Sequence, residues 1–158
     1  MITEEIKKLV DSCVLAWMAT ADDHGTPNVS PKEVFAIMER DLIVVANIAS
    51  PITESNIRKN PQVAISMVDI WTQQGYQFKG DGSILSRGES SFDRAALLLN
   101  EITRGLFKFD TIFSIKVSRI KAIVAPSYYM LGRNAVDCIT DSERSYLSIL
   151  EDQKKNWE

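Results

Sequence analysis

The sequence predicts a mainly β domain of the α+β class, an antiparallel β-barrel of about six strands with flanking helices. Short apolar segments follow one another along the first half of the chain, and polar turns such as residues 22–25 separate them. A long alternating segment at residues 111–124 is typical of a half-buried strand. With 158 residues, 45% of them hydrophobic, the chain can bury one core, so we expect a single domain over residues 1–158.

Each predicted strand is a run of mostly apolar residues that ends at a turn signal. The turn at residues 22–25 and the polar pair Glu39-Arg40 connect the first three strands into an antiparallel meander. Pro126 ends the last strand, because proline cannot donate to a neighbouring strand. The predicted strands span residues 14–20, 27–38, 41–47, 63–68, 76–86 and 111–124.

Apolar residues at helical spacing predict helices around the barrel. Thr3 precedes the first helix, in which Ile6, Val10 and Cys13 share one face. A second amphipathic helix is predicted over residues 91–104. A charged segment with spaced apolar residues, 141–157, predicts a terminal helix, so a helical extension begins at about residue 141.

Residues 50–60 predict a short helix with a candidate anion site. Ser50 suits the N-cap and Pro51 the first helical position, while Pro61 ends the helix. The free backbone N–H groups at this N-terminus, with the hydroxyls of Ser50 and Thr53, suit a phosphate monoester. The alternative on this feature alone is an ordinary capped helix that connects two strands.

The order of these motifs resembles the FMN-binding split-barrel family typified by pyridoxamine 5′-phosphate oxidase. The resemblance covers residues 14–86, and it depends on the order and spacing of the motifs together. The motifs are LAWMAT at residues 15–20, DDHGTPNVSP at 22–31, SPITESN at 50–56 and GYQFKGDGSI at 75–84. In the family they form the first hairpin, the phosphate loop with its helix, and a long strand whose glycine lies in a bend.

The resemblance implies FMN as the cofactor, a split form of the predicted barrel, and a homodimer whose interface holds the flavin ring. Residues of the second strand would follow the ribityl chain and the ring edge, and those of the third strand would meet the flavin near its phosphate. Trp71 and Gln77, with Tyr76, would border the ring from the region that approaches the partner chain; the alternative is that they only pack in the dimer interface. The implied cofactor-binding residues are Ser30, Pro31, Lys32, Glu33, Val45, Ala46, Asn47, Ser50, Ile52, Thr53, Trp71 and Gln77.

One position departs from the family pattern. Ile52 stands where the family presents a basic residue to the phosphate. A helix N-terminus contributes only on the order of 1 kcal/mol to anion binding, so a cation from elsewhere is needed. Lys32 is the best candidate because the second strand runs beside this loop in the family, and Arg58 or Lys59 are the alternatives.

Composition excludes several function classes. The net charge of −3 argues against a nucleic-acid binder, and no apolar run approaches the length of a membrane span. Because the N-terminus also lacks a basic region followed by an apolar one, we expect a cytoplasmic protein. Cys13 and Cys138 have no metal-type spacing, so we expect free buried thiols. The only histidine, His24, falls in a predicted surface turn, and Asp22-Asp23 is ordinary turn chemistry, so we expect no metal site.

The sequence therefore predicts an FMN-binding flavoprotein, an oxidoreductase that acts on an unidentified small molecule. Flavin supplies the redox chemistry, so no catalytic residue is assigned. The expected partners are a second copy of the chain, the substrate, and an electron donor such as a nicotinamide nucleotide. The C-terminal region shows no counterpart of the arginine-containing segment of true pyridoxamine-phosphate oxidases, which disfavours vitamin B6 oxidation. The alternatives are a carrier of flavin, heme or deazaflavin, and a non-catalytic stress-response binding module.

Overall fold

A computed structural model describes residues 1–156. It contains one antiparallel sheet of seven strands, which confirms the predicted fold class with one more strand than expected. The predicted strand at 27–38 is interrupted at Glu33 and Val34, because its two halves pair at opposite edges of the sheet. The strands are β1 (Ala16–Ala21), β2 (Pro27–Lys32), β3 (Phe35–Glu39), β4 (Leu42–Ala46), β5 (Gln62–Asp69), β6 (Gln74–Ser86) and β7 (Thr111–Val124).

The strand order is β2-β1-β5-β6-β7-β4-β3, with every neighbouring pair antiparallel. The edge strands β2 and β3 are consecutive in the chain but do not pair, so over residues 1–156 the curved sheet stays open, as a split barrel. The register of β6 against β7 shifts between Lys79 and Gly80. This irregularity lies at the glycine bend that the family resemblance implied.

Two apolar clusters lie on opposite faces of the sheet. The larger fills the concave side, where Met18, Ile65, Phe78 and Phe113 are fully buried. The smaller covers part of the convex side beneath a long helix, and Phe92 of this helix packs there. The rest of the convex side carries no helix, which leaves β2, β1, β5 and much of β6 open to solvent.

Five helices occur among the described residues: α1 (Glu4–Ser12), α2 (Pro51–Lys59), α3 (Ser90–Thr103), α4 (Pro126–Met130) and α5 (Ala135–Lys155). The first helix begins just after Thr3, as predicted, and the Thr3 hydroxyl caps it by accepting a hydrogen bond from the Ile6 amide. The terminal helix begins six residues earlier than expected, because Asn134 and Asp137 form a capping box. Trp157, at the end of the predicted helix, lies outside the described residues. None of the described helices is long and apolar enough to span a membrane.

Candidate functional site

The site is built around Lys32, the last residue of β2. Lys32 stands opposite Ala16 of β1, on the concave side of the sheet, and its side chain is only 5% exposed. Its Nζ donates hydrogen bonds to the Oγ atoms of Ser30 and Ser50, both at 2.7 Å. The same Nζ lies 5.9 Å from the centre of the Phe113 ring, within range of a cation–π contact. A lysine on an edge strand is therefore directed into the protein rather than into solvent.

Further hydroxyl and amide groups extend this cluster toward α2. The Oγ of Ser30 lies 3.0 Å from the Oγ1 of Thr53, and the Nδ2 of Asn28 donates to the same Thr53 atom at 3.4 Å. Thr53 is 1% exposed. The alternation of β2 puts Asn28, Ser30 and Lys32 on one face, so this edge strand presents a polar row to the first turn of α2.

Ser50 occupies the N-cap position of α2 but does not cap it. Its hydroxyl donates to the carbonyl oxygen of Ile48 at 3.2 Å and accepts the hydrogen bond from Lys32, so the predicted side-chain cap is wrong in this detail. Pro51 is at the first helical position, as predicted. Ala49 has a φ of 52°, an unfavourable conformation for a residue with a Cβ, and this turn directs Ser50 toward β2. The first backbone N–H groups of α2 therefore carry no side-chain acceptor at the cap.

The electrostatics of Lys32 are unusual because no carboxylate neutralises it. Among residues 1–156, no aspartate or glutamate forms an ion pair with its Nζ. Burial lowers the pKa of its ammonium below the ordinary value of 10.5. A buried cation with only hydroxyl partners is costly by itself, and an anion is the partner that would offset this cost.

The two alternative cations lie elsewhere. Arg58 and Lys59 are in the last turn of α2, at the opposite end of the helix from Ser50. Arg58 pairs with Glu54 one turn earlier, and Lys59 lies 3.6 Å from Asp23. The structure therefore brings Lys32, and neither Arg58 nor Lys59, to the N-terminus of α2.

A cavity of about 160 Å³ opens beside Lys32. The predicted residues Pro31, Lys32, Glu33 and Ala46 contribute to its wall. The remaining lining residues are Val34, Ile48 and Phe107. A second cavity of about 360 Å³ lies on the other side of the Ser50 turn, and it includes Asn47, Ser50 and Thr111. Ser50, which accepts a hydrogen bond from Lys32, therefore lines the second cavity and not the first.

Asn47 carries an unsatisfied acceptor in this region. Its Nδ2 donates to the Oε2 of Glu54 at 2.6 Å and to the Oγ1 of Thr111 at 2.8 Å, so the amide is held from two sides. Its Oδ1 is buried and has no hydrogen-bond partner. Because a buried acceptor without a donor costs free energy, this atom is a candidate contact for a ligand donor group.

The other predicted site residues are dispersed. Val45 is fully buried in the core, and Ile52 is 62% exposed on α2. Gln77 lies three strands from β2 on the convex face, where it contacts Ser66, while Trp71 packs edge-on against Tyr146 of α5. Within one chain Gln77 and Lys32 lie on opposite sides of the sheet. The roles of Trp71 and Gln77 as cofactor contacts stay predictions.

Several residues of the site were not predicted from the sequence. Phe113 belongs to the predicted strand at residues 111–124, but nothing in the sequence indicated that Lys32 would lie over its ring. Asn28 was not predicted as a site residue, although it stands two residues before Ser30 and so shares one face of the strand with it. Phe107 lies in the loop between α3 and β7, and no local pattern assigns a loop aromatic to a cavity.

Neither thiol offers a reactive nucleophile. Cys13 and Cys138 are both buried and unpaired, as predicted. Burial, together with the nearby Asp69 carboxylate, raises the pKa of Cys13 to about 11, so its thiol stays protonated at neutral pH. His24 lies exposed in the β1–β2 turn, whose amides donate to the Asp22 carboxylate.

Comparison with known proteins is consistent with this geometry. The profile of the pyridoxamine 5′-phosphate oxidase family matches residues 2–122, about three quarters of the chain and all seven strands except the end of β7. No curated protein matches the sequence at a significant level.

Solved structures with this fold include proteins of different stated roles. HupZ from Group A Streptococcus is 29% identical, with a TM-score of 0.65 over 76% of this chain and 92% of that chain. An FMN-binding protein from Syntrophomonas wolfei is 17% identical, with a TM-score of 0.63 over 77% and 86%. The heme storage protein HutZ from Vibrio cholerae is 22% identical, with a TM-score of 0.58 over 78% of this chain and 95% of that chain. The similarities to the Syntrophomonas wolfei protein and to HutZ concern the fold alone. With its open seven-stranded barrel and its match over residues 2–122, the chain belongs to the pyridoxamine 5′-phosphate oxidase-like split-barrel family.

Proposed function

We propose that this protein binds FMN and works as a flavoprotein oxidoreductase on a small molecule. The observation that carries the proposal is Lys32, a buried ammonium group with two hydroxyl partners and, within residues 1–156, no carboxylate partner. A protein that keeps such a group at the N-terminus of a helix gains most when an anion binds there. The membership of a family that contains FMN-binding proteins makes the FMN phosphate the leading anion.

The residues present fit a phosphate monoester. Lys32 would supply the cation that Ile52 does not, Ser30, Ser50 and Thr53 would supply hydroxyls, and the free N–H groups of α2 would add the helix dipole. The hydrogen bonds that Lys32 now donates to Ser30 and Ser50 hold its ammonium group in place. The site is therefore preorganised, which lowers the entropic cost of binding.

The residues next to this cluster suit the remainder of the cofactor. Pro31, Glu33 and Ala46 line the adjoining cavity, and the unsatisfied Oδ1 of Asn47 could accept a hydrogen bond from a ligand N–H or hydroxyl group. When bound, the flavin ring supplies the capacity to accept and donate electrons. The chain's own residues would bind the phosphate, orient the ring and exclude water. We propose a nicotinamide nucleotide as the electron donor.

We also propose that the functional unit is a homodimer. Gln77 and Trp71 lie on the open convex side or at its end, so they would reach a flavin held by Lys32 only from a second copy of the chain. A two-fold dimer is the commonest soluble assembly. The two buried, unpaired thiols support a reducing compartment, and we propose the cytoplasm.

The second candidate is a binding module without turnover. It is favoured by Ile52, whose exposed aliphatic side chain stands in the position of the family's basic residue and weakens the phosphate site. Its ligand could be flavin or another planar cofactor such as heme or a deazaflavin. A histidine-ligated heme is disfavoured, because the only histidine lies in an exposed turn outside the cluster.

The experiment that tests the proposal is a titration of the purified protein with FMN, followed by visible absorbance and quenching of flavin fluorescence. We expect saturable binding at micromolar concentration and at least about tenfold weaker binding by Lys32→Met. Lys8→Met, at an exposed position on α1, is the matched control and should bind like the parent protein. Absence of binding, or equal binding by parent and Lys32→Met, would contradict the proposal.

Turnover separates the two candidates. The FMN-loaded protein is mixed with reduced nicotinamide nucleotide, and bleaching of the flavin band is compared with that of free FMN at equal concentration. Faster bleaching on the protein supports an oxidoreductase. Equal rates, with tight binding, support the binding module.

A further inference from the structure

A cavity of about 400 Å³ lies between α3 and the segment 104–110 that joins α3 to β7, and we call it the α3 cavity. Phe92 of α3 and Phe109 of that segment line it, are both buried, and have their ring centres 6.4 Å apart. The half-exposed ring of Phe107 lines it as well. The α3 cavity therefore offers several aromatic surfaces to a ligand, which suits a flat apolar body.

The polar groups of the α3 cavity favour an anion. Among residues 1–156, its lining includes Arg87, Lys108 and the exposed amide of Asn100 but no aspartate or glutamate. Asp110, just outside the lining, pairs with Arg87 at 2.8 Å. In the described part of the chain Lys108 forms no ion pair. The positive charge of Lys108 is therefore left without a protein carboxylate to compensate it.

Arg87 is held at the α3 cavity by contacts with three residues. Its Nε donates to the Oδ1 of Asp110 at 2.8 Å, and its Nη2 donates to the carbonyl oxygen of Phe109 at 3.1 Å. Its guanidinium carbon lies 5.7 Å from the centre of the Phe92 ring, within range of a cation–π contact. Within residues 1–156 the N–H groups of Nη1 have no partner, so a fixed guanidinium still has donors for a carboxylate.

The α3 cavity lies next to the cavity beside Lys32 but is a different space. The Phe107 ring belongs to the wall of both cavities, and the other residues that line the Lys32 cavity do not line the α3 cavity. A ligand of the α3 cavity would therefore lie near the proposed flavin pocket without occupying it.

We propose that the α3 cavity binds a small aromatic carboxylate, with or without flavin in the protein. The rings of Phe92, Phe107 and Phe109 would contact the aromatic body of this ligand. Arg87 and Lys108 would bind its carboxylate. This inference goes beyond the proposed function, because it concerns a second ligand in a second cavity.

The combination of aromatic rings and cations distinguishes this ligand class from simpler ones. A small inorganic anion would contact Arg87 and Lys108 but would leave the aromatic surface uncovered. A neutral aromatic compound would cover the rings but would leave the charge of Lys108 uncompensated. An aromatic acid satisfies both parts of the cavity, because it buries apolar area and forms charge-assisted hydrogen bonds at once.

The test measures the binding of 2-naphthoate to the full chain, free of flavin, by isothermal titration calorimetry. Two further probes separate the contributions: 2-naphthalenemethanol has the same rings without the charge, and acetate has the carboxylate without the rings.

Two variants probe the cavity itself. Lys108→Gln removes the uncompensated cation, and Lys8→Gln, at an exposed position on α1, is its matched control. Ala96→Leu adds a larger apolar side chain to the cavity wall while both cations stay in place. Circular dichroism checks that each variant is folded.

We expect 2-naphthoate to bind the parent and Lys8→Gln with a Kd below about 1 mM. Lys108→Gln and Ala96→Leu should each bind it at least about fivefold more weakly, the first for loss of charge and the second for loss of space. The parent should also bind 2-naphthalenemethanol and acetate at least about fivefold more weakly than 2-naphthoate.

A parent that does not bind 2-naphthoate, folded variants that bind it like the parent, or equal affinities for 2-naphthoate and either simpler probe would each overturn the inference. A loss of binding in Lys32→Met that Lys108→Gln does not show would also overturn it, since the carboxylate would then occupy the Lys32 site. FMN binding is measured separately, so a protein that binds 2-naphthoate but not FMN refutes the proposed cofactor and leaves this site intact.

Discussion

The Nζ of Lys32 lies 2.7 Å from the Oγ of Ser50, eighteen residues later in the chain. This hydrogen bond connects the end of the edge strand β2 to the start of α2. This bond takes Ser50 away from its usual capping role and leaves the N-terminus of α2 without a side-chain acceptor. Two features that favour anions, a cation and free helical N–H groups, are thereby held side by side. We therefore expect this arrangement to be stabilised when an anion binds.

The replacement Lys32→Met separates function from stability. Methionine keeps the length and the contact with Phe113 while removing a buried charge, so we expect the free energy of unfolding without ligand to stay equal or to rise by about 1 kcal/mol at pH 7. Urea denaturation followed by circular dichroism measures it. A loss of more than about 1 kcal/mol would show that the ammonium group stabilises the ligand-free fold.

The lowered pKa of Lys32 predicts a pH dependence. Between this pKa and 10.5 the unfolded chain binds more protons at this residue than the folded one, so folding stability rises with pH in that window. The parent should therefore gain stability relative to Lys32→Met as the pH approaches 10.5. Anion affinity should change in the opposite sense, because the neutral amine no longer attracts phosphate. Urea titrations of the parent and Lys32→Met from pH 7 to 10 measure the stability change, and FMN titrations of the parent over the same range measure the affinity change. Stability curves that stay parallel for parent and variant would contradict a lowered pKa at Lys32.

Restoring the family's basic residue should tighten binding. Ile52 is 62% exposed and two residues from Ser50, so Ile52→Arg adds a cation near the N-terminus of α2 without disturbing the core. We expect FMN to bind roughly three- to tenfold more tightly at low salt, with the gain reduced at high salt by screening. Ile52→Gln is the uncharged control. Equal affinities for the arginine and glutamine variants would place the phosphate elsewhere.

Gly80 is required by the close approach of β7. A Cβ at this position would lie 2.0 Å from the carbonyl oxygen of Lys116, a backbone atom that cannot move without breaking the sheet. We expect Gly80→Ala to lower the free energy of unfolding by about 3 kcal/mol. Ser83→Ala, at an exposed position on the same strand, is the control and should change stability by less than about 0.5 kcal/mol. Urea midpoints compare the two, and equal midpoints would contradict the steric argument.

Local patterns determined much of the fold. The alternation of residues 111–124 and the turns at residues 22–25 and Glu39-Arg40 predict strands and hairpins. The predicted half-burial is wrong for residues 112–115 of β7, which are all buried because apolar clusters cover both faces of the sheet there. Pro51 and Pro61 bound α2 closely, since proline fixes the backbone at these positions. The terminal helix was placed six residues late because Asn134 and Asp137 interact with backbone groups of their own turn rather than with an apolar stripe.

The sequence by itself therefore determined most of the secondary structure, the family and the candidate residues near α2. Only the tertiary structure decided that the predicted second strand divides at Glu33 and Val34, because its halves find different partners across the sheet. Tertiary structure also decided that Lys32 faces Phe113 and Ser50, since strand alternation says which residues share a face but not which face is buried. Contacts between residues distant in the chain set both features, and no local pattern encodes them.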